Sequence, residues 1–204
     1  MSTRRIAVVA AGLGQPSSTR LLADRLAGAV AEGLRLRGFA PETEVVELRD
    51  HAHDITNNLL TGFPPAALRA VVDTVAGADG LIAVTPTFNA SYSGLFKSFF
   101  DVLEEDALAG KPVLMGATGG TARHSLVLEY AMRPMFAYLR AVPVPTGVYA
   151  ASEDWGAAGG ADPVTPRVER AADELAGAIA ARPVPAVRDP YDDPVPFTDL
   201  LPGA

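Results

Sequence analysis

Cysteine is absent from the 204 residues. That excludes disulfides, cysteine-ligated metal clusters, iron–sulfur centres and thiol nucleophiles together, and it suits a reducing compartment such as the cytoplasm. Positive charge is scarce too: 17 Lys and Arg stand against 24 Asp and Glu, a formal charge of −7. A nucleic-acid footprint needs a basic face, so no nucleic-acid partner is expected. Long apolar runs are missing. The first, Ile6–Ala11, is too short for a signal sequence, and no segment approaches the roughly 18 uninterrupted apolar residues of a membrane span. The chain is expected to be cytoplasmic, away from membranes. Histidine occurs three times. His51 and His53, next to Asp54, stand in a polar stretch without a third imidazole or any thiol, so no metal site is expected there.

What is present is an alternation. At 49% hydrophobic content, this length suits one α/β domain. Strand-like runs fall at Arg5–Ala11, Glu44–Leu48, Gly80–Thr85, Lys111–Ala117 and Val142–Tyr149. Between them lie helical patterns. Leu22, Leu26, Val30 and Leu34 recur every four residues within Ser18–Arg37, one face of a helix, with Ser17 or Ser18 as its cap. Further helices are expected over Pro65–Ala76, Ser93–Glu105, Ala122–Leu139 and Thr165–Ala181, the fourth carrying Pro134. Five strands alternating with five helices is the pattern of a doubly wound parallel sheet with helices on both faces. The flavodoxin-like order 2-1-3-4-5 fits this length. From Arg182 on, prolines 183, 185, 190, 194, 196 and 202 exclude helix and central strand. The expected division is a domain over 1–182 and a proline-rich tail over 183–204, either disordered or docked through Tyr191, Val195, Phe197, Leu200 and Leu201.

Ligands of such sheets bind outside the carboxyl ends of the strands, so the loops after strands one, three and four carry the interest. Gly12-Leu13-Gly14-Gln15-Pro16-Ser17-Ser18-Thr19 opens directly into a helix. Its hydroxyls sit where the helix's unpaired N–H groups and positive end favour a phosphate, though they also suffice as a simple cap. A Walker loop is excluded because no Gly-Lys-Ser/Thr follows, and the dinucleotide fingerprint is broken by Ser17 at its third glycine. After strand three, Pro86, Thr87, Phe88 and Asn89 precede Tyr92. This stretch offers flat surfaces and backbone donors suited to a flavin ring, or is an ordinary loop with a buried aromatic. After strand four, Thr118, Gly119 and Gly120 allow backbone N–H groups to approach a ligand closely. Such donors could stabilise negative charge on the pyrimidine edge of a reduced flavin.

Together these residues resemble the NAD(P)H-dependent FMN reductase family, in particular the branch that supplies reduced FMN to two-component monooxygenases such as those of alkanesulfonate utilisation. The matching pieces are Ser17-Ser18-Thr19, Pro86-Thr87-Phe88, Tyr92 to Lys97, Ala117 to Thr121 and Glu129 to Pro134. They fall in order within residues 4–155. The resemblance implies FMN and NADPH or NADH as cofactors, with phosphate contacts from the loop of Gln15, Ser17, Ser18 and Thr19. It implies ring contacts from Pro86, Thr87, Phe88, Asn89 and Tyr92, and pyrimidine-edge contacts from Thr118, Gly119 and Gly120. Hydride would pass from nicotinamide C4 to flavin N5, with no side chain acting as acid or base. A homodimer or homotetramer is implied, some relatives carry a π-bulge in the helix of Tyr130, and a flavin-dependent monooxygenase is the implied partner. Many relatives have Gly-Ser-Pro-Arg where this chain has Gly12-Leu13-Gly14-Gln15, which leaves the choice of nicotinamide open. A quinone, azo or chromate reductase with tightly held FMN is the alternative enzyme, and a flavodoxin-type electron carrier the alternative without nicotinamide chemistry. His124, the Lys97–Asp101 pair and Trp155 lie near these loops without an assigned role.

Overall fold

The structure is a computed structural model that describes residues 2–155 and 163–183. β1 (Thr3–Ala10) is flanked by β2 (Ala40–Glu47) and β3 (Gly80–Phe88), and β3 is followed across the sheet by β5 (Pro112–Gly119). All of these pairings are parallel. The fifth place is shared by two short segments, β6 (Val142–Pro143) and β7 (Val148–Ala151), each parallel to β5. The order is therefore the flavodoxin-like one. The sheet counts seven strands rather than five because the last is split, and because β4 (Ser91–Tyr92) folds back antiparallel on the end of β3. Pro143 and Pro145 explain the split, since proline donates no ladder hydrogen bond.

Central strands buried on both faces need apolar residues at consecutive positions. Val8, Val9, Leu81, Ile82, Ala83 and Val84 are all 0% exposed. On one face the sheet is covered by α1 (Ser18–Leu36) and α6 (Thr165–Ala181). Leu22, Leu26, Val30 and Leu34 all lie fully inside, each contributing about 1.5–3 kcal/mol of apolar burial. The other face is covered by α2 (Ala52–Thr61), α3 (Ala66–Gly77), α4 (Gly94–Asp101) and α5 (Arg133–Tyr138). There Phe96, Phe100 and Phe136 pack edge to face or tilted at 4.8–6.3 Å between centroids.

Two expectations change. The polar stretch after β2 is not a loop: His51 closes a 3-10 turn (Leu48–His51) and His53 lies in α2. α2 buries only Ile55 and Asn58, too few apolar positions to mark a helical face. The long helix expected over 122–139 is instead a 3-10 turn (Ala122–His124), a π turn (Leu128–Met132) and α5. Pro134 supplies the reason. It has no N–H for the carbonyl four residues back, so the regular ladder cannot run through it. Of the proline-rich tail, all but Pro183 lies outside the described residues. No described helix is long and apolar enough to cross a membrane.

Candidate functional site at the carboxyl edge of the sheet

Parallel pairing brings the three loops to one edge. Pro86 is level with Thr118, Gly119 with Ala151, and the Ala11 N–H reaches the Val84 carbonyl at 2.9 Å.

The loop after β1 turns tightly because Gly12 has no side chain. A Cβ there would lie 2.0 Å from Ser17 Oγ. Ser17 caps α1, its Oγ accepting from the Arg20 N–H at 3.2 Å, which leaves its proton free to donate. Ser18 is exposed. The N–H groups of Ser17, Ser18 and Thr19 have no acceptor among the described residues, as expected for the first turn of a helix. Thr19 is different. It is 2% exposed, and its hydroxyl bonds that of Thr118, itself 3% exposed, at 2.8 Å. This buried pair ties the first loop to the end of β5.

Behind the loop stands a group of charges that the sequence did not reveal. Arg49 donates to the Gly14 carbonyl at 3.2 Å and pairs with Glu47 at 3.0 Å. Gln15, with its amide oxygen turned inward, accepts from the same guanidinium at 3.0 Å. Glu47 also pairs with Arg20 at 2.6 Å. So Gln15 faces the buttress, and the loop is braced from the end of β2.

The second loop is a two-residue hairpin. Thr87 pairs with Tyr92 and Phe88 with Ser91, while Asn89 (φ 48°) and Ala90 (φ 65°) form the turn. Both central residues of such a turn need positive φ. Asn tolerates this readily, whereas Ala carries a cost of about 1–2 kcal/mol. Thr85 is fully buried and holds the return of the hairpin by accepting from the Ser93 N–H at 3.0 Å. Phe88 is 45% exposed and stands at the rim. Tyr92 is half-buried and packs on Phe96.

The third loop holds the two glycines, and they serve different needs. Neither has positive φ. A Cβ on Gly119 would meet Tyr149 Oη at 2.1 Å, whereas one on Gly120 would meet nothing within 4 Å among the described residues. Gly119 is thus required by the protein, and Gly120 keeps an open side. Tyr149 donates from below to the Thr121 carbonyl at 2.9 Å, and burial pushes its phenol pKa up. Thr87 Oγ1 lies near that phenol, buried and without a well-formed hydrogen bond among the described residues.

The remaining candidates fall outside this arrangement. His124 and Arg123 are exposed beside Ala90, Ser91 and Tyr130. Lys97 pairs with Asp101 one turn along α4. Trp155 packs under Arg25 at 5.5 Å, on the α1 and α6 face, and seals that side. Among the described residues, no three His, Asp or Glu side chains come together as a metal site.

An edge that offers free N–H donors, two free hydroxyls and a glycine with nothing above it fits a ligand with one phosphate and one flat polar-edged ring. FMN has this form. Residues 4–156 match the family model described as NADPH-dependent FMN reductase. The chain is 37% identical over 151 residues to an FMN reductase (NADPH) of Pseudomonas aeruginosa, covering 74% of this chain and 78% of that one. It is 38% identical over 152 residues to the NADH-dependent FMN reductase SfnF of Pseudomonas fluorescens, with the same two coverages. An oxidoreductase of Corynebacterium diphtheriae superposes with a TM-score of 0.85 at 44% identity, over 90% of this chain and all of that one. The chain belongs to the NADPH-dependent FMN reductase family.

Proposed function

We propose that this protein is an NAD(P)H-dependent FMN reductase working at the carboxyl edge of its sheet. The observation that carries the reading is the set of N–H donors on the first and third loops that have no acceptor among the described residues, beside a glycine whose open side can receive a ring. Ser17, Ser18 and the first N–H groups of α1 hold the phosphate. The hairpin of Pro86, Thr87, Phe88 and Asn89, followed by Tyr92, walls the ring. The Thr118–Gly120 segment donates to its pyrimidine edge, while Thr19 and Gln15 brace the loop from inside. When bound, FMN supplies N5 to accept hydride from nicotinamide C4. The protein contributes position and a field of N–H dipoles that are already oriented and need no reorganisation.

Reduced FMN as a released product fits a monooxygenase as the consuming partner, and a cysteine-free chain suits the cytoplasm. Leu126, Tyr130 and Tyr138, at 60%, 80% and 86% exposure, support a homo-oligomer formed through the π turn and α5. Residues 1–182 are proposed to suffice for folding and FMN binding. Steady-state oxidation of NADPH and NADH with FMN, FAD and riboflavin tests the reading. FMN-dependent oxidation of at least one nicotinamide is expected. Oxidation of neither would leave the electron-carrier alternative, and a protein that stays yellow through desalting would favour FMN as a resident group.

A further inference from the structure

The geometry points to Tyr149 as a positioning residue that sets the height of the Gly119–Thr121 loop against the flavin. This rests on the FMN reading above. Tyr149 lies in β7, 4% exposed, with its ring in the apolar core and only its hydroxyl reaching up to the loop. That hydroxyl donates to the Thr121 carbonyl at 2.9 Å, and Ser152 Oγ lies 3.5 Å from the Gly119 carbonyl. Both loop carbonyls therefore turn toward the β7 side. In a planar trans peptide the N–H points opposite to its C=O. The N–H groups of Gly120 and Ala122 consequently face away from β7, and neither has an acceptor among the described residues.

The loop can descend this far only because residue 119 lacks a Cβ, which would sit 2.1 Å from Tyr149 Oη and 3.5 Å from Thr87 Cβ. Gly119 and Tyr149 thus form a lock and stop. The phenol both pulls the loop down through Thr121 and prevents it from going further. Thr87 Oγ1 is buried beside the same phenol, without a well-formed partner among the described residues. Tyr149 itself meets no ligand; it acts through the loop.

Titrating FMN and riboflavin into the full chain tests this. A phosphate contact distinguishes the two flavins, whereas a ring-edge contact does not. Tyr149→Phe removes one neutral hydrogen bond, so both dissociation constants should rise by the same factor, about three- to tenfold. Gly119→Ala should weaken both flavins more. The double variant Tyr149→Phe/Gly119→Ala should bind better than Gly119→Ala alone, because the oxygen at 2.1 Å is gone and the nearest ring carbon lies at 3.2 Å. An equal loss for both flavins in a folded Tyr149→Phe variant is the readout that a merely structural tyrosine would not produce. Tyr149→Phe with wild-type affinity for both flavins, loss confined to FMN, or a double variant no better than Gly119→Ala would each overturn the inference. If Tyr149→Phe fails to fold, Gly119→Ala decides alone, and unchanged flavin binding by that variant overturns it. A wild-type chain that binds neither flavin overturns the functional reading itself.

Discussion

At the amino-terminal edge of the sheet, buried charged side chains are tied to a carboxylate and to carbonyls, whereas at the carboxyl edge backbone N–H groups on two loops have no acceptor among the described residues. Arg4 is 1% exposed, pairs with Asp79 at 3.2 Å, donates to the Arg182 carbonyl at 2.6 Å and stacks on Phe39; of its nitrogens only Nε lacks a partner among the described residues. Asp79 also accepts from the Arg5 N–H, and Arg182 returns a bond to the Asp79 carbonyl at 3.1 Å. Lys111, 3% exposed, donates to the last carbonyls of α3, those of Val75 and Ala76. At the other edge, by contrast, the Ser17–Thr19 and Gly120 N–H groups have no acceptor among the described residues. Unmet polar groups are costly and are retained where a ligand can use them. The difference separates an end whose polar groups hold the fold from the end where the FMN site is proposed.

Breaking the closed edge should cost stability and leave flavin binding alone. Asp79→Ala strands the buried Arg4 guanidinium, an expected loss of about 3–5 kcal/mol, read by chemical denaturation. FMN affinity per folded molecule should stay at the wild-type value, and a specific loss of affinity would erase the division between the two edges.

Breaking the open edge should do the reverse. Ser17→Ala/Ser18→Ala removes hydroxyl donors from a charged group, each worth about 1.5–3 kcal/mol, so FMN should weaken at least tenfold while riboflavin barely changes. The lost cap costs about 1 kcal/mol of stability. Equal losses for the two flavins would remove the phosphate from this loop.

A smaller effect comes from pH. Burial lowers the Lys111 pKa to about 8, with Arg182 nearby pushing the same way and Asp79 opposing. In the unfolded chain the ammonium titrates near its ordinary value of about 10.4. Between these values the unfolded state binds more protons than the folded one, so this group makes stability rise with pH from about 8 to 10. The rise should be on the order of 1–2 kcal/mol after allowance for solvent screening. Across that range the denaturation midpoint of the wild type should rise relative to that of Lys111→Met; parallel curves would mean that the amine is not held in a dry site.

The closed edge and the open edge were not equally legible in the sequence. The fold was readable where one face is apolar at a constant period: α1 follows from Leu22, Leu26, Val30 and Leu34, and α6 runs over the expected Thr165–Ala181. It failed where the period is weak or interrupted, as in α2 with its two buried residues, or at Pro134, where the helix changes register. The three loops were visible because glycines and hydroxyls cluster at strand ends. Their supports were not. Arg49 comes from the turn after β2 and Tyr149 from the neighbouring strand β7, and no spacing along the chain links them to the loops they hold. The sequence also left open why Gly119 and Gly120 are glycine. Only the structure separates a glycine forced by a phenol from a glycine kept clear for a ligand.

That separation provides the most direct test of an FMN site at the carboxyl edge. A Cβ at position 120 meets nothing within 4 Å among the described residues, and the backbone there needs no positive φ. Gly120→Val should therefore fold with the wild-type circular dichroism spectrum and thermal midpoint. If the open side of Gly120 receives the flavin, the same preparation should show FMN affinity and NAD(P)H oxidation collapsed by at least tenfold. A folded Gly120→Val protein with unchanged FMN affinity and unchanged turnover would contradict the account.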